Sequence, residues 1–377
     1  MLKRGRERAV ANRHPWIFDG AIARESGPDD AAVADLVDER GELLASGFHS
    51  KHSQIRLRAL TFGEELNAET IRSRILRAIA RRTFAGDTNA FRVLNAEGDD
   101  LSGLVIDRYD DVVVIEIANA GVEKLKALIV ETIQEALAPR VVFFKNDIPA
   151  RKIERLSQEN EWSGAGEPAA KIRESDLSFV VEPAVGQKTG FFLDQRENRR
   201  MTRSIASGKR VLNLFSYSGA FGVYAAAGGA AGVMNVDVSE KAIALARTNH
   251  ELNGFAAEYV AADAFDWIRK TTDRFDVVIC DPPAFAKSRG DIDRAARGYK
   301  DINLQSLRHV APGGMLMTFS CSGHMSLDLF QKVIFSAAAD AGRRASIVRR
   351  LTAGPDHPVS LYCPEGEYLK GFLLAVG

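Results

Sequence analysis

TFSCSGHM, residues 318–325, holds Cys321, one of three cysteines in the chain, between Ser320 and Ser322. It follows MLMTF, an apolar run that reads as a buried strand. Two roles are open to such a thiol: free cysteine packs as a small hydrophobe, and a thiolate is a nucleophile. The other cysteines are Cys280 in CDPPAF and Cys363 in LYCPEG. No CxxC spacing links the three, and an odd count gives no disulfide framework. The seven histidines form no HExxH or comparable ligand pair, so no metal is expected. His324 stands outside the catalytic set, since a lone histidine is more often a packed or solvated side chain.

Asp281 precedes Pro282 and Pro283. Neither helix nor sheet continues through Asp-Pro-Pro. The chain is therefore pinned where the strand FDVVIC ends, which aims Asp281 and nearby carbonyls at a planar ring. Neighbours on an extended segment face opposite ways, so Cys280 faces the core if Asp281 faces substrate. VLNLFSYSGAFGV, residues 211–223, reads as strand, turn and helix start. A dinucleotide site would want GxGxxG there, but only Gly219 and Gly222 are present, with Asn213, Ser216 and Ser218 around the turn. That disfavours a nicotinamide cofactor and suits one without phosphates, such as S-adenosylmethionine. Asp237 in NVDVS stands eighteen residues after Gly219, where an acid can accept from ribose hydroxyls. Asp263 in AADAF could bind an adenine amino group; either aspartate could instead cap the next helix.

From about residue 180 apolar strands alternate with helices. KRVLNLF, GVMNVDV, EYVAAD, FDVVICDPP and GGMLMTFSC are the strands; SEKAIALARTNHELNG is a helix capped at Ser239 and closed by Gly254. Continuously apolar strands joined by helices imply a doubly wound α/β sheet buried on both faces. Residues 1–66 read as a small β-rich module. Residues 67–180 open with a basic amphipathic helix, NAETIRSRILRAIARRTF, with Asn67 as N-cap. A compact α+β block follows, and SQENEWSGAGEPAAK reads as a linker or exposed loop. Residues 181–377 complete the chain.

Fifty basic residues balance fifty acidic ones, so net charge steers no partner. Two basic clusters stand out: Lys3, Arg4, Arg6, Arg8 and Arg13, and Arg72, Arg74, Arg77, Arg81 and Arg82. Each suits phosphate contacts or a solvated face. No apolar stretch is long and uncharged enough to span a bilayer, and the N-terminus is too polar for a secretory signal. A cytoplasmic protein with no membrane partner is expected.

The third block resembles the class I S-adenosylmethionine-dependent methyltransferases through VLNLFSYSGAFGV, NVDVS, AADAF and CDPPAF. More narrowly, the chain is similar to the bacterial large-subunit ribosomal RNA cytosine-C5 methyltransferases. KTGFFLDQRENRR, RGYKDIN, TFSCSG, DHPV and EGEYLKGF carry that likeness. RGRERAVANRHPWIFDGAI, GELLASGFH and SQIRLRAL resemble the family's N-terminal PUA domain, an RNA-binding β-barrel; NAEGDDLSGLVIDRYDDVVVIEI resembles its middle α+β domain. The likeness spans essentially the whole chain.

The resemblance implies a C-terminal Rossmann-like methyltransferase domain, S-adenosylmethionine as cofactor, and large-subunit rRNA before full assembly as partner, with a homodimer as a further candidate state. It implies Cys321 as the nucleophile and Asp281 as the group that hydrogen-bonds cytosine. Cofactor contacts are expected from Asn213, Phe215, Ser216, Tyr217, Ser218, Gly219, Asp237, Val238, Ser239, Asp263, Ala264, Asp281 and Pro282. Thr189, Phe192 and Asp194 are expected near the methionine end. Substrate contacts are expected from Arg196, Pro283, Lys287, Arg4 and Arg6; Lys287 replaces the lysine that family members often carry after DPP, where this chain has Ala284. The basic stretch 286–300 is expected to be a mobile RNA-facing loop. Other readings are a 5-methyluridine or N-methylated purine product, and a non-catalytic RNA-binding assembly factor.

Overall fold

Short apolar runs broken by Gly, Asp and Ser fold at the N-terminus into four antiparallel strands: β1 (Trp16–Phe18), β2 (Val33–Val37), β3 (Leu43–His49) and β4 (Ile55–Thr61). Their order is β1-β4-β3-β2, and all three ladders carry a register shift. Such shifts bend strands and raise their twist. The computed structural model describes residues 1–377 apart from Asp29, Asp30, 84–86 and Lys287.

Helix α1 (Ala68–Arg81) starts where Asn67 accepts a hydrogen bond from Thr70 N–H, as its sequence predicts. Ile71, Ile75 and Ala78 face the core, whereas Arg72 and Arg77 on the outer side pair with Glu135 and Asp100. A five-stranded sheet follows: β5 (Ala90–Asn95), β6 (Leu104–Tyr109), β7 (Val112–Ile117), β8 (Val141–Phe144) and β9 (Glu161–Gly164), in that order. Its one parallel pair, β7 and β8, is joined through α2 (Lys126–Leu137), because parallel neighbours need a crossover. Strand β9 corrects the expected linker. All four of its residues are exposed, and backbone pairing to β8 makes the strand. No burial pattern therefore marked it in the sequence.

The chain forms two compact units that interleave. One is Met1–Ser175 with Val181–Leu193 and Pro355–Gly366; the other is Asp176–Val180 with Asp194–Gly354 and Glu367–Gly377. Residues 181–193 and 355–366, grouped with the third block in sequence, thus pack in the first unit. Asp356 shows why. Its carboxylate accepts from Arg92 N–H at 3.0 Å, and its carbonyl accepts from Arg82, whose guanidinium also grips buried Asp99 at 2.6 and 2.7 Å.

The second unit is built on β10 (Arg210–Leu214), β11 (Gly232–Asp237), β12 (Glu258–Ala261), β13 (Phe275–Cys280), β14 (Val310–Ser320), β15 (Ala345–Thr352) and β16 (Lys370–Val376). The sheet order is β12-β11-β10-β13-β14-β16-β15. The first five strands are parallel; β16 runs antiparallel to both its neighbours. Helices α3 (Arg196–Ile205), α4 (Ala220–Ala227), α5 (Glu240–Leu252), α6 (Ala264–Lys270), α7 (Ile292–His309) and α8 (Leu327–Asp340) accompany it. Leu212 and Leu214 join one core cluster and Val211 the other, so β10 is buried on both faces. Helix α7 corrects the expected loop at 286–300. Its first turns bury Ala295 and Tyr299, and Gly298 makes room for the Phe285 ring, 3.3 Å from where a Cβ would stand.

Candidate active site

Chain order runs from β10 outward to β11 and β12 on one side, and to β13 and β14 on the other. The switch lies between β10 and β13, where open α/β sheets bind ligands beyond the strand carboxyl ends. Register pairs Leu214 with Cys280 and Cys280 with Thr318. The loops that begin at Phe215 and Asp281 therefore leave adjacent strands, and Cys321 follows the end of the next one.

The loop from β10 to α4 is tight: Phe215, Tyr217 and Gly219 have φ of 56°, 44° and 70°. Two are non-glycine residues in the left-handed region, a costly conformation that clusters at binding sites. Asp237 ends β11, and its carboxylate accepts from Tyr217 N–H at 2.8 Å and Ser239 N–H at 2.9 Å. That braces it against the loop while lone pairs remain for a diol. Val238 beside it is 71 % exposed, an apolar surface of the kind a purine face covers. Ser216 is buried, and its Oγ has no partner among the described residues. An orphaned buried hydroxyl calls for a ligand or water. Orphan, braced carboxylate and exposed valine together fit S-adenosylmethionine.

Other expected contacts do different work. Asp263 accepts from Asp266 N–H at 3.1 Å and caps α6; Ser239 caps α5. Asn213 is buried and donates to Asn235 at 3.0 Å. Gly222 is required there, because a Cβ would stand 2.5 Å from Asn235 Oδ1. Ser218 and Ala264 are buried as well.

Cys321 is partly exposed, whereas Cys280 and Cys363 have no exposed surface. Its thiol points to the Pro282 carbonyl at 3.8 Å, which ties it to the Asp-Pro-Pro turn. Both flanking serines are engaged. Ser320 Oγ accepts from Ser322 N–H at 3.4 Å; Ser322 Oγ shares a 2.9 Å bond with Tyr299 and accepts from Ala286 N–H at 3.2 Å. The hydroxyls lock the turn and leave the thiol as its reactive group. Asp281 accepts from Gln195 at 2.9 Å, and Gln195 in turn accepts from Asn198 at 2.6 Å. Sequence reasoning named Asp194 and Arg196 on either side of Gln195 and passed over it; only its place in KTGFFLDQREN could have flagged it. Pro282 is buried and Pro283 exposed. Cys280 sits in the core, where burial pushes its thiol up to about 12.

KTGFFLDQREN divides between the two units. In the first, Thr189 donates to Asp107 at 2.5 Å and shares a 2.7 Å bond with Tyr109, and Lys188 lies over the Phe192 ring. In the second, Asp194 accepts from Tyr368 at 2.6 Å, and Arg196 is fully buried. Arg4 and Arg6 are exposed near the N-terminus, and Lys287 lies outside the described residues.

A second titratable cluster lies in the first unit: ligand-type atoms of His14, Cys363 and Glu365 fall within 4.8 Å of one another. Trp16 N–H donates to His14 Nδ1 at 3.1 Å. The proton of the neutral ring is then on Nε2, which faces Glu365 at 3.4 Å. Burial, with the Glu97 and Glu365 charges adding, pushes the Cys363 thiol up to about 12.

Comparisons with known proteins agree with this geometry. A family model described as S-adenosylmethionine-dependent methyltransferase matches residues 91–363, and one described as PUA-like domain matches residues 1–62. The chain is 41 % identical to the ribosomal RNA large subunit methyltransferase I of Photobacterium profundum, over 98 % of this chain and 97 % of that one. It is 39 % identical to the protein of that name from Escherichia coli, over 100 % and 98 %. A solved structure from Streptococcus mutans has the same fold, with a TM-score of 0.84 at 24 % identity over 100 % of this chain and 99 % of that one. Among the described residues no helix is long and apolar enough to cross a membrane. The chain belongs to the S-adenosylmethionine-dependent methyltransferases, in the branch that carries a PUA-like domain and includes the ribosomal RNA large subunit methyltransferase I proteins.

Proposed function

We propose that this protein methylates carbon 5 of a cytosine in large-subunit ribosomal RNA, with Cys321 as the nucleophile. The observation that carries the reading is the partly exposed Cys321 thiol, 3.8 Å from the Pro282 carbonyl beside Asp281 at the strand ends. Carbon 5 of cytosine is too weak a nucleophile to take a methyl group unaided. Addition of the thiolate sulfur to carbon 6 moves an electron pair onto carbon 5, splitting one hard step into easier ones. Asp281, oriented by Gln195, hydrogen-bonds the ring and favours its activated form. S-adenosylmethionine supplies an electrophilic methyl group, and Asp237, Val238 and Ser216 are the residues that would hold it. Loss of the carbon-5 proton and cleavage of the sulfur–carbon-6 bond then restore the aromatic ring and the thiol.

The relatives named as ribosomal RNA large subunit methyltransferases support the substrate class. Such enzymes act on a base taken out of its stack, and RNA sequence is read mostly on unpaired nucleotides. Protein-free or partly assembled rRNA follows as substrate. Residues 1–66 would serve as the RNA-anchoring module, with Arg4 and Arg6 on phosphates, residues 67–180 as the middle domain and 181–377 as the methyltransferase domain; Arg196, Pro283 and Lys287 remain candidate substrate contacts. Bisulfite sequencing of large-subunit rRNA from a deletion strain tests the reading. One protected cytosine should become convertible; an unchanged cytosine pattern with loss of a 5-methyluridine or methylated purine would overturn it.

A further inference from the structure

Lys370 is only 5 % exposed. It opens β16 opposite Ser320, the last residue of β14. Its Nζ donates to the carbonyls of Ser322 at 2.8 Å and Met325 at 2.6 Å. Both carbonyls lie in the turn that follows Cys321, the first on the residue next to it. Among the described residues Nζ forms no ion pair, and Glu367 is the carboxylate whose charge acts on the buried ammonium. A buried, unpaired charge is costly and is normally matched by an opposite one. An ammonium has three donors, and the two carbonyls take two.

We propose that Lys370 is the positioning residue of the nucleophile: its ammonium holds the 321–325 turn and stabilises Cys321 as a thiolate. This rests on the reading of Cys321 as the attacking group. Nearby charge favours it. Tyr299 reaches the turn from α7, Asp281 follows the end of β13, Glu367 lies ahead of β16, and His324 is in the turn itself. Lys370 is the cation that hydrogen bonds fix to this turn. A cation close to a thiol lowers its pKa by favouring the charged form. Burial holds the lysine's own pKa below its ordinary value, and the Cys321 and Glu367 charges offset part of that.

The test is the pH profile of iodoacetamide alkylation at Cys321, read by peptide mass mapping, in the wild type, Lys370→Met and Lys370→Arg. The wild-type thiol should titrate at least about one unit below the ordinary value of about 8.5. Lys370→Met should raise that midpoint by about one unit or more and slow alkylation at pH 7 about tenfold, and Lys370→Arg should recover most of the shift. A Lys370→Met midpoint within a few tenths of wild type overturns the proposal. Should Lys370→Met fail to fold, the wild-type profile alone decides, because a midpoint at or above the ordinary thiol value contradicts it. Incubation with RNA containing 5-fluorocytidine separates the two readings. A low midpoint that depends on Lys370, without an RNA adduct, upholds the lysine's role and sinks cytosine-C5 transfer; an adduct with no dependence on Lys370 does the reverse.

Discussion

Two thiols in this chain sit among titratable neighbours, and they differ in kind. Cys363 in the first unit is fully buried beside Glu365 and near Glu97, and its thiol is pushed up to about 12. Cys321 in the second unit is partly exposed, at the end of β14, with a lysine ammonium on the far side of its turn. Polar company does not make a nucleophile. Exposure and the sign of the local charge do, because the thiolate is the reactive form. The contrast extends to the units around them. In the first, one buried polar run closes on itself, from Arg92 through Asp107 and Thr189 to Tyr109, although Asn119 Nδ2 and Asn146 Oδ1 there lack a partner among the described residues. In the second, the strand ends leave open valences: the Ser216 hydroxyl and the lone pairs of Asp237.

The largest expected difference is in activity. Cys321→Ser should lower methyl transfer at least ~1,000-fold, as removal of a covalent nucleophile does, while Cys363→Ser should stay within about twofold. Equal losses would erase the contrast. Gln195→Ala sharpens it at the next level. It frees Asp281 from a hydrogen bond and leaves buried Asn198 without its Gln195 acceptor, so kcat should fall about tenfold and stability by about 1–3 kcal/mol.

The first unit should respond through stability instead. Glu116 on β7 has its carboxyl raised by burial from 4.5 to about 7. A raised acid holds its proton more tightly when folded, so its contribution is complete below pH 4.5 and is lost as pH rises to about 7. The loss is at most ~3 kcal/mol, and Glu116→Gln should flatten the melting temperature across that window. The smallest effect belongs to Asn67→Ala, which removes the α1 cap and should cost about 1 kcal/mol in urea unfolding without touching activity.

Much of this was legible in the sequence. Apolar strands without alternation announced the doubly wound sheet, and Asn67, Ser239 and Asp263 each capped a helix they precede. The face-to-face argument at Cys280 and Asp281 also held: the cysteine is in the core. What stayed hidden depends on partners distant along the chain. β9 exists because β8 pairs with it, and no apolar period reveals that. The start of α7 was masked by Gly298, whose missing Cβ serves Phe285 rather than a loop. Residues 355–366 join the first unit through Asp356, whose contacts with Arg82 and Arg92 span more than 260 positions. Lys370 stood in a recognised motif, EGEYLKGF, yet only the β14–β16 pairing brings it to Cys321. Three donors on a flexible stem carry no sequence signal of what they hold.

The most direct test is mass spectrometry of the denaturant-stable product formed by the wild type, S-adenosylmethionine and a large-subunit rRNA fragment containing 5-fluorocytidine. Fluorine at carbon 5 cannot leave as a proton does, so the sulfur–carbon-6 bond should persist. One cross-linked peptide, bearing RNA on Cys321, is predicted, and Cys321→Ala should yield none. Full methylation by Cys321→Ala, or an adduct on Cys280 or Cys363, would contradict the account.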